Sequence, residues 1–398
     1  MADSTEPAPP AIQLVTRSRS HGIEIVGGPS GRSEDEKLGV VPSFEGHSGR
    51  SIVAVDGGRG SWLCVGGGSG PLEVVETRGG RKVALPGDTA GCERFSFSPL
   101  GTFLVTWQRS DAEKFPGGSL RVWDLRGDCG APLKSFHCKV LNKGGIPATI
   151  AWSGDERVCW HGVTNTVHVY DGGFAATEGK DQIGSVSCPG VKLFAASPTV
   201  SAPYACALFV PEAKGKPASV KIHAFPPPPT GPADGLVVAK SFFRAQDVTL
   251  RWSPTGLGVL VQTHTDVDAT GGSYYGGTGL YLMQAHAKRA GEAAFECLVP
   301  LPKEGPIAAA EWEPTQGREF VVIAGTIPPV AALYNLDAEQ VSSQGRKRVQ
   351  RWPPSNRSYL GRFPRISTDV STSDHLLDRS RSVTVASGKT RVRCSSVE

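Results

Sequence analysis

A short apolar run, a tight turn and a second apolar run recur along this chain, with no helix-forming stretch between them. The clearest copy spans 247–283. Asp247-Val248-Thr249-Leu250-Arg251-Trp252 alternates as a half-buried strand does, and Ser253-Pro254-Thr255-Gly256 has the composition of a tight reversal. Residues 257–263 make a second strand rich in Val and Leu, and 279–283 a third. Between them lies a polar loop with Thr265-Asp266-Val267-Asp268 and Gly271-Gly272-Ser273-Tyr274-Tyr275-Gly276. Parallel strands need a crossover connection of a dozen or more residues, usually a helix, so this unit reads as antiparallel.

Five further copies can be read. The first is 51–55, 61–65 and 72–75, with glycines between the strands. The next runs Arg94-Phe95-Ser96-Phe97-Ser98-Pro99-Leu100-Gly101, then 103–107, then Leu120-Arg121-Val122-Trp123-Asp124-Leu125, which has the Trp-Asp ending of a WD-type repeat. The others are 148–170 with Tyr170-Asp171 in that place, 191–225, and 308–336. The residues before each turn, at 97, 152, 196, 252 and 312, are spaced by 55, 44, 56 and 60. A four-stranded propeller blade takes about 40–45 residues. The excess falls in inserts such as Pro226-Pro227-Pro228-Pro229.

The expected fold is therefore all-β, a WD40-type β-propeller with about six recognisable blades of an apparently truncated larger ring. Residues 1–11 are expected to be disordered, 12–336 to form the propeller, with two strands at 12–16 and 22–26, and 337–398 to be a disordered basic tail. The repeats stop at Leu336, so the strand around Leu14 is expected to keep an open edge.

Gly and Pro total 80 of 398 residues, which favours turn-rich strands over helices yet stays below the level of low-complexity disorder. Nine cysteines without any C-x-x-C pair form neither a zinc framework nor a disulfide scaffold, and read as small buried residues in a reducing compartment. The N-terminus lacks the apolar core of a signal peptide, and no run approaches the roughly 18 apolar residues of a membrane span. A soluble cytoplasmic protein without membrane association is expected. Charge is uneven: residues 341–398 hold 12 Lys+Arg and 4 Asp+Glu, so the tail carries +8 and the remainder −4.

The chemical motifs fail on context. Asp266-x-Asp268-x-Thr270 matches a D-x-D-x-T phosphotransferase signature, but that chemistry uses a parallel sheet with helices, which this neighbourhood lacks. As a calcium loop it has Gly277 where the twelfth position needs Glu. The glycines at 57–70 break G-x-G-x-x-G at Pro71, and Gly388-Lys389-Thr390 has Val383 in place of the first phosphate-loop glycine. No catalytic constellation, metal site or cofactor site is read, and no enzyme is expected. Asp266, Asp268, Tyr274 and Tyr275 are candidate partner contacts, since adjacent tyrosines suit interfaces. Arg346, Lys347, Arg348, Arg351 and Trp352 combine clustered charge with an aromatic and are candidate RNA contacts.

Several stretches carry a resemblance. These are Lys240-Ser241-Phe242-Phe243-Arg244-Ala245, the Thr265–Gly276 loop quoted above, Leu104-Val105-Thr106-Trp107-Gln108 and Leu133-Lys134-Ser135-Phe136. Phe209-Val210-Pro211 with Gly215-Lys216-Pro217-Ala218, and Leu301-Pro302-Lys303-Glu304-Gly305-Pro306-Ile307, complete the set. Taken in chain order, over roughly 14–336, the chain resembles the eukaryotic translation initiation factor 2A family. The resemblance implies an N-terminal nine-bladed propeller and a non-catalytic initiation factor. It also implies association with the small ribosomal subunit, initiator methionyl-tRNA, mRNA and other initiation factors. From about Asp337 onward the sequence departs from the family pattern, which removes the last blades and the basic C-terminal region. The alternative is a WD-repeat scaffold for protein–protein interaction.

Overall fold

The computed structural model describes residues 12–18, 22–27, 39–40, 52–55, 62–66, 70–76, 81–341 and 391–396, with gaps within 81–341 at 110, 112, 116, 143, 176–179, 214, 230, 244, 266–276 and 286–293. Two compact units are present, Met1–Val140 with Thr368–Glu398, and Leu141–Ser367. Among the described residues the only helices are single 3-10 turns at Gly87–Thr89 and Ile146–Ala148. None is long and apolar enough to cross a membrane.

In the first unit, β1 (Ile12–Ser18), β2 (Gly22–Gly27) and β3 (Gly39–Val40) pair in order. A second sheet is β4 (Ile52–Val55), β5 (Trp62–Gly66), β6 (Glu73–Glu76) and β7 (Lys82–Ala84). A third is β8 (Arg94–Phe97), β9 (Phe103–Trp107), β10 (Leu120–Asp124) and β11 (Lys134–Phe136). Cys64, Val74, Leu104 and Trp123 pack the second sheet against the third. The alternation seen in the sequence places them inward.

The second unit repeats the pattern four times. Its sheets are β12 (Ile150–Trp152), β13 (Val158–Val163), β14 (Thr166–Asp171) and β15 (Gln182–Ser187); then β16 (Leu193–Ala196), β17 (Tyr204–Val210), β18 (Ala218–Phe225) and β19 (Leu236–Phe242). Next come β20 (Asp247–Trp252), β21 (Gly258–His264), β22 (Thr278–Gln284) and β23 (Glu296–Leu298), and last a three-stranded sheet, β24 (Ile307–Trp312), β25 (Glu319–Ala324) and β26 (Val330–Asn335). Every neighbouring pair in these sheets is antiparallel. Apolar clusters join each sheet to the next: Trp160 with Phe194 and Leu208, Phe209 with Val259 and Met283, Leu260 with Phe320 and Tyr334. These are propeller blades, and the expected all-β class is what the chain forms.

The serine that opens these turns, in Ser-Pro-x-Gly at 98 and 253 and in Ser-Gly-Asp-Glu at 153, explains why the motif recurs. Ser98 Oγ accepts from Phe103 N at 2.9 Å, Ser153 Oγ from Val158 N at 3.1 Å and Ser253 Oγ from Gly258 N at 3.3 Å. The backbone of each serine donates to the carbonyl of that same partner, and Gly101 and Gly256 donate back to the serine carbonyl. Both glycines have positive φ, 75° and 71°, the conformation that glycine adopts without a steric penalty. Ser98→Ala leaves the Phe103 N–H without its side-chain acceptor. It is expected to destabilise by about 1 kcal/mol, read as a lower urea midpoint.

Neighbouring blades of the second unit share these turns. Trp252 Nε1 donates to Ala195 O at 2.9 Å and Trp312 Nε1 to Arg251 O at 2.8 Å. Gly154 N reaches Thr199 O at 2.8 Å, and the Tyr204 hydroxyl donates to Asp155 Oδ2 at 2.8 Å. A Cβ on Gly317 would meet Pro254 Cδ at 2.7 Å. The inner strands β12, β16, β20 and β24 therefore lie in chain order and point the same way.

Three expectations change. Seven sheets replace about six, because 12–27 joins a sheet of its own rather than remaining two unassigned strands. The blades have a fourth, outer strand that the alternation did not reveal; β15 and β19 are mostly exposed or half-buried, so their apolar pattern is weak. The tail, expected to lack regular structure, contributes β27 (Arg391–Ser396), which pairs in parallel with β1 from Ile12↔Arg391 to Arg17↔Ser396. The open edge expected at Leu14 is thereby covered: an unpaired edge offers a ladder of backbone groups, and Arg391-Val392-Arg393-Cys394 alternates as a strand must.

Candidate functional site

In an antiparallel sheet of four strands, connections from first to second and third to fourth strand fall at one end. Those from second to third strand, and from one blade to the next, fall at the other. With the inner strands of the second unit aligned, the latter set forms one face. It is made of 164–165, 188–192, 211–217, 243–246, 265–277, 299–306 and 325–329, with the lead-in 141–149. Among their described residues are three Lys/Arg and two Asp/Glu, against three and five on the opposite face. Around the blade β16–β19 the described residues of 188–192, 211–217 and 243–246 include two lysines, Lys192 and Lys216, and one acid, Glu212.

The same face exposes apolar side chains. Phe243 is 86% exposed directly after β19, where Phe242 is 3% exposed. The strand alternation turns the first Phe inward and leaves the second in solvent. Ile327 is 96% exposed at the tip of the β25–β26 connection. Lys303 Nζ donates to the carbonyls on either side of it, Thr326 O at 2.7 Å and Pro328 O at 3.1 Å. Ile327 is thus presented outward by a fixed loop.

A cleft of about 480 Å³ opens between the β13–β14 turn and the segment entering β16. Val191, Leu193 and Pro211 supply apolar walls, with Asn142, Asn165 and Lys192 among its polar residues. Asn142 Nδ2 donates to Ala148 O at 2.7 Å and Asn165 Oδ1 accepts from Gly190 N at 2.9 Å. Lys192 and Lys216 are exposed, with no ion pair among the described residues.

Perturbed ionisable groups have structural causes; on this face burial raises the Cys188 thiol, and the others lie elsewhere. Burial pushes the Cys92 thiol up to about 11, its hydrogen bonds to Trp107 and Arg94 notwithstanding. Burial raises Cys159 and Cys206 as well. His161 is driven down to about 4 by burial and by His168 across the β13–β14 pair. No group of three His, Cys, Asp or Glu able to hold a metal ion occurs among the described residues.

The residues singled out from sequence lie outside the described residues: Asp266, Asp268, Tyr274 and Tyr275 in 266–276, and Arg346, Lys347, Arg348, Arg351 and Trp352 in the tail. The ends of the first segment are fixed on the loop face. Thr265 N donates to Gly277 O at 3.0 Å and Gly277 N to Thr265 Oγ1 at 2.8 Å. Phe243, Ile327, Lys192 and Lys216 were not read as site residues. Two consecutive phenylalanines at a strand end were the available signal, since only one of them can face the core.

A family model described as "Eukaryotic translation initiation factor eIF2A" matches residues 240–367. The match continues beyond Leu336, so the departure from the family pattern does not begin at Asp337. Among relatives, eukaryotic translation initiation factor 2A of Schizosaccharomyces pombe is 32% identical over 68% of this chain and 43% of its own length. The Dictyostelium discoideum protein of that name is 26% identical over 91% of this chain and 55% of its own, and that of Drosophila melanogaster 32% over 67% and 39%. The chain thus spans about half the length of these relatives, or less. A solved structure titled "Crystal structure of the eukaryotic initiation factor" matches with a TM-score of 0.64 and 27% identity, over 83% of this chain and 72% of that one. Across its blade repeats the chain belongs to the eukaryotic translation initiation factor 2A family.

Proposed function

We propose that this chain is a non-catalytic, cytoplasmic translation initiation factor. It associates with the small ribosomal subunit and assists delivery of initiator methionyl-tRNA on selected mRNAs, alongside other initiation factors. The observation that carries this reading is family membership extending through the blades that build the loop face. Support also comes from that face itself, which combines exposed lysines with no ion pair among the described residues, Lys192 and Lys216, with exposed apolar side chains, as a surface that meets a ribonucleoprotein should. Asp266, Asp268, Tyr274 and Tyr275 are assigned to the subunit contact. The tail supplies weak RNA affinity through Arg346, Lys347, Arg348, Arg351 and Trp352, in a segment carrying +8.

The test is co-sedimentation with purified small subunits. Deleting the tail would also strip β27 from β1, so the tail is probed by neutralisation in the full chain: Arg346→Ala, Lys347→Ala, Arg348→Ala and Arg351→Ala together. Subunit association is expected to survive this change and to fall at least fivefold with Tyr274→Ala/Tyr275→Ala. The reverse pattern would overturn the assignment to the blades. A specific observation favours a second reading, a scaffold for protein partners: the fixed, almost fully exposed Ile327 suits an apolar pocket on another protein. Absence from small-subunit fractions in polysome profiles would select that reading.

A further inference from the structure

We propose that the loop face of the blade β16–β19 is a single-stranded RNA site. Lys192 and Lys216 contact phosphates, Phe243 stacks one base, and the cleft beside Lys192 receives another. This deepens the function proposed above and rests on its reading of the chain as a factor that works on RNA.

Four observations converge on that blade. Two of the three described cations of the loop face, Lys192 and Lys216, lie on the segments framing it. Lys192 and Lys216 are exposed there with no ion pair among the described residues, so their charge is available to a phosphate. Lys216 is carried by a tight turn, since Ala213 and Lys216 exchange backbone hydrogen bonds at 3.1 and 2.8 Å. Phe243 stands 86% exposed on the next connection. An aromatic face in solvent beside lysines is the combination that holds single strands without reading sequence, because every base has a π-face.

The cleft explains why a base rather than a bare phosphate enters. Its half-buried apolar walls are Val191, Leu193 and Pro211, which suit a flat apolar ring. Asn142 uses its amide N–H on Ala148 O, and Asn165 its amide oxygen on Gly190 N. Among the described residues Asn142 Oδ1 and Asn165 Nδ2 retain hydrogen-bonding capacity, one acceptor and one donor, as the edge of a base requires. Duplex RNA does not fit this arrangement, because its bases are paired and stacked.

The experiment is fluorescence anisotropy with the full chain and a 5′-fluorescein, mixed-sequence, 12-nucleotide single-stranded RNA over a series of KCl concentrations. Each phosphate contact on a single strand adds about 0.7 to the slope of log affinity against log salt, so Lys192→Gln/Lys216→Gln should lower the slope by about 1.4. Phe243→Ala should weaken binding about fivefold or more with no change in slope, and Phe243→Trp should restore it. All three side chains are exposed, and unchanged melting curves will show that the variants fold. An unchanged slope and affinity in the lysine variant overturns the proposal and places RNA affinity elsewhere. Loss of subunit co-sedimentation with oligonucleotide binding intact also overturns it, by making this face a contact for ribosomal protein. A wild-type chain that ignores the subunit but loses oligonucleotide binding in these variants sinks the functional reading and supports this site.

Discussion

Trp123→Ala is expected to destabilise the first unit by about 3–5 kcal/mol, the cost of emptying an aromatic site in a core. Trp123 is fully buried in a cluster with Leu104, Phe95 and Cys64. Its indole Nε1–H donates to Thr106 Oγ1 at 2.9 Å across the β9–β10 pair. The ring also faces Arg121, whose guanidinium carbon lies 5.0 Å from its centroid and 4.9 Å from that of Phe115. Arg121 is itself buried, paired with Asp88 and donating to Gln108 Oε1, and Gln108 in turn holds the carbonyls of Asp88 and Ala90. Removal of the indole opens a cavity, orphans the Thr106 hydroxyl and takes one aromatic face from a buried cation. Trp123→Phe keeps most of the volume and loses chiefly the hydrogen bond, so about 1–2 kcal/mol is expected. Chemical denaturation followed by near-ultraviolet circular dichroism compares the two. Equal midpoints for both variants would show that the hydrogen bond, not the packing, is what Trp123 contributes.

The Trp-Asp ending was legible because it repeats at the end of a β-alternating run, and the structure gives its two residues separate tasks. Trp123 fills the core, while Asp124 is half-buried and receives Arg126 Nε and Nη2 at 2.9 and 2.7 Å. Hydrogen bonding to Arg126 outweighs burial and holds its carboxyl below the ordinary range. The inner three strands of each blade were readable for the same reason, since their alternation records which face is buried. The outer strands were not. Residues such as Gln182, Ile183 and Ser185 in β15 border solvent on one side, and solvent imposes no pattern.

The candidate site was legible only where a side chain breaks the pattern. Phe243 is visible as the second of two phenylalanines, once β19 is known to end at Phe242. Lys192 and Lys216 carry no such mark. They are ordinary surface lysines until the register of β16–β19 brings their loops to one end of one blade. The tyrosines at 274 and 275 drew notice as interface-type residues, a compositional signal that says nothing of which strand ends flank them. The β21–β22 pairing supplies that, with His264↔Thr278 closing the ladder at the ends of the 265–277 segment.

Glu313→Ala is expected to destabilise the last blade by about 2–4 kcal/mol, because one carboxylate closes the whole β24–β25 turn. Glu313 stands where the other blades place the turn serine, as its backbone donation to Glu319 O shows. Its carboxylate accepts from Thr315 N at 3.0 Å, Gln316 N at 2.7 Å and Gly317 N at 2.9 Å, and from the Thr315 hydroxyl. Burial would raise its pKa, but these four hydrogen bonds together outweigh burial and hold it below the ordinary value. A carboxyl depressed on folding contributes stability that is complete above its unfolded pKa, about 4.3, and is lost as pH falls through the folded value. Glu311, two residues earlier in β24, acts in the opposite sense, raised by burial against the pull of Arg251. Both variants and wild type retain Glu311, so its effect cancels between them. Glu313→Gln should therefore show a shallower loss of thermal stability than wild type below about pH 4.3, from a lower plateau at neutral pH. Parallel curves across that window would mean that the turn is held by its backbone and not by the charge.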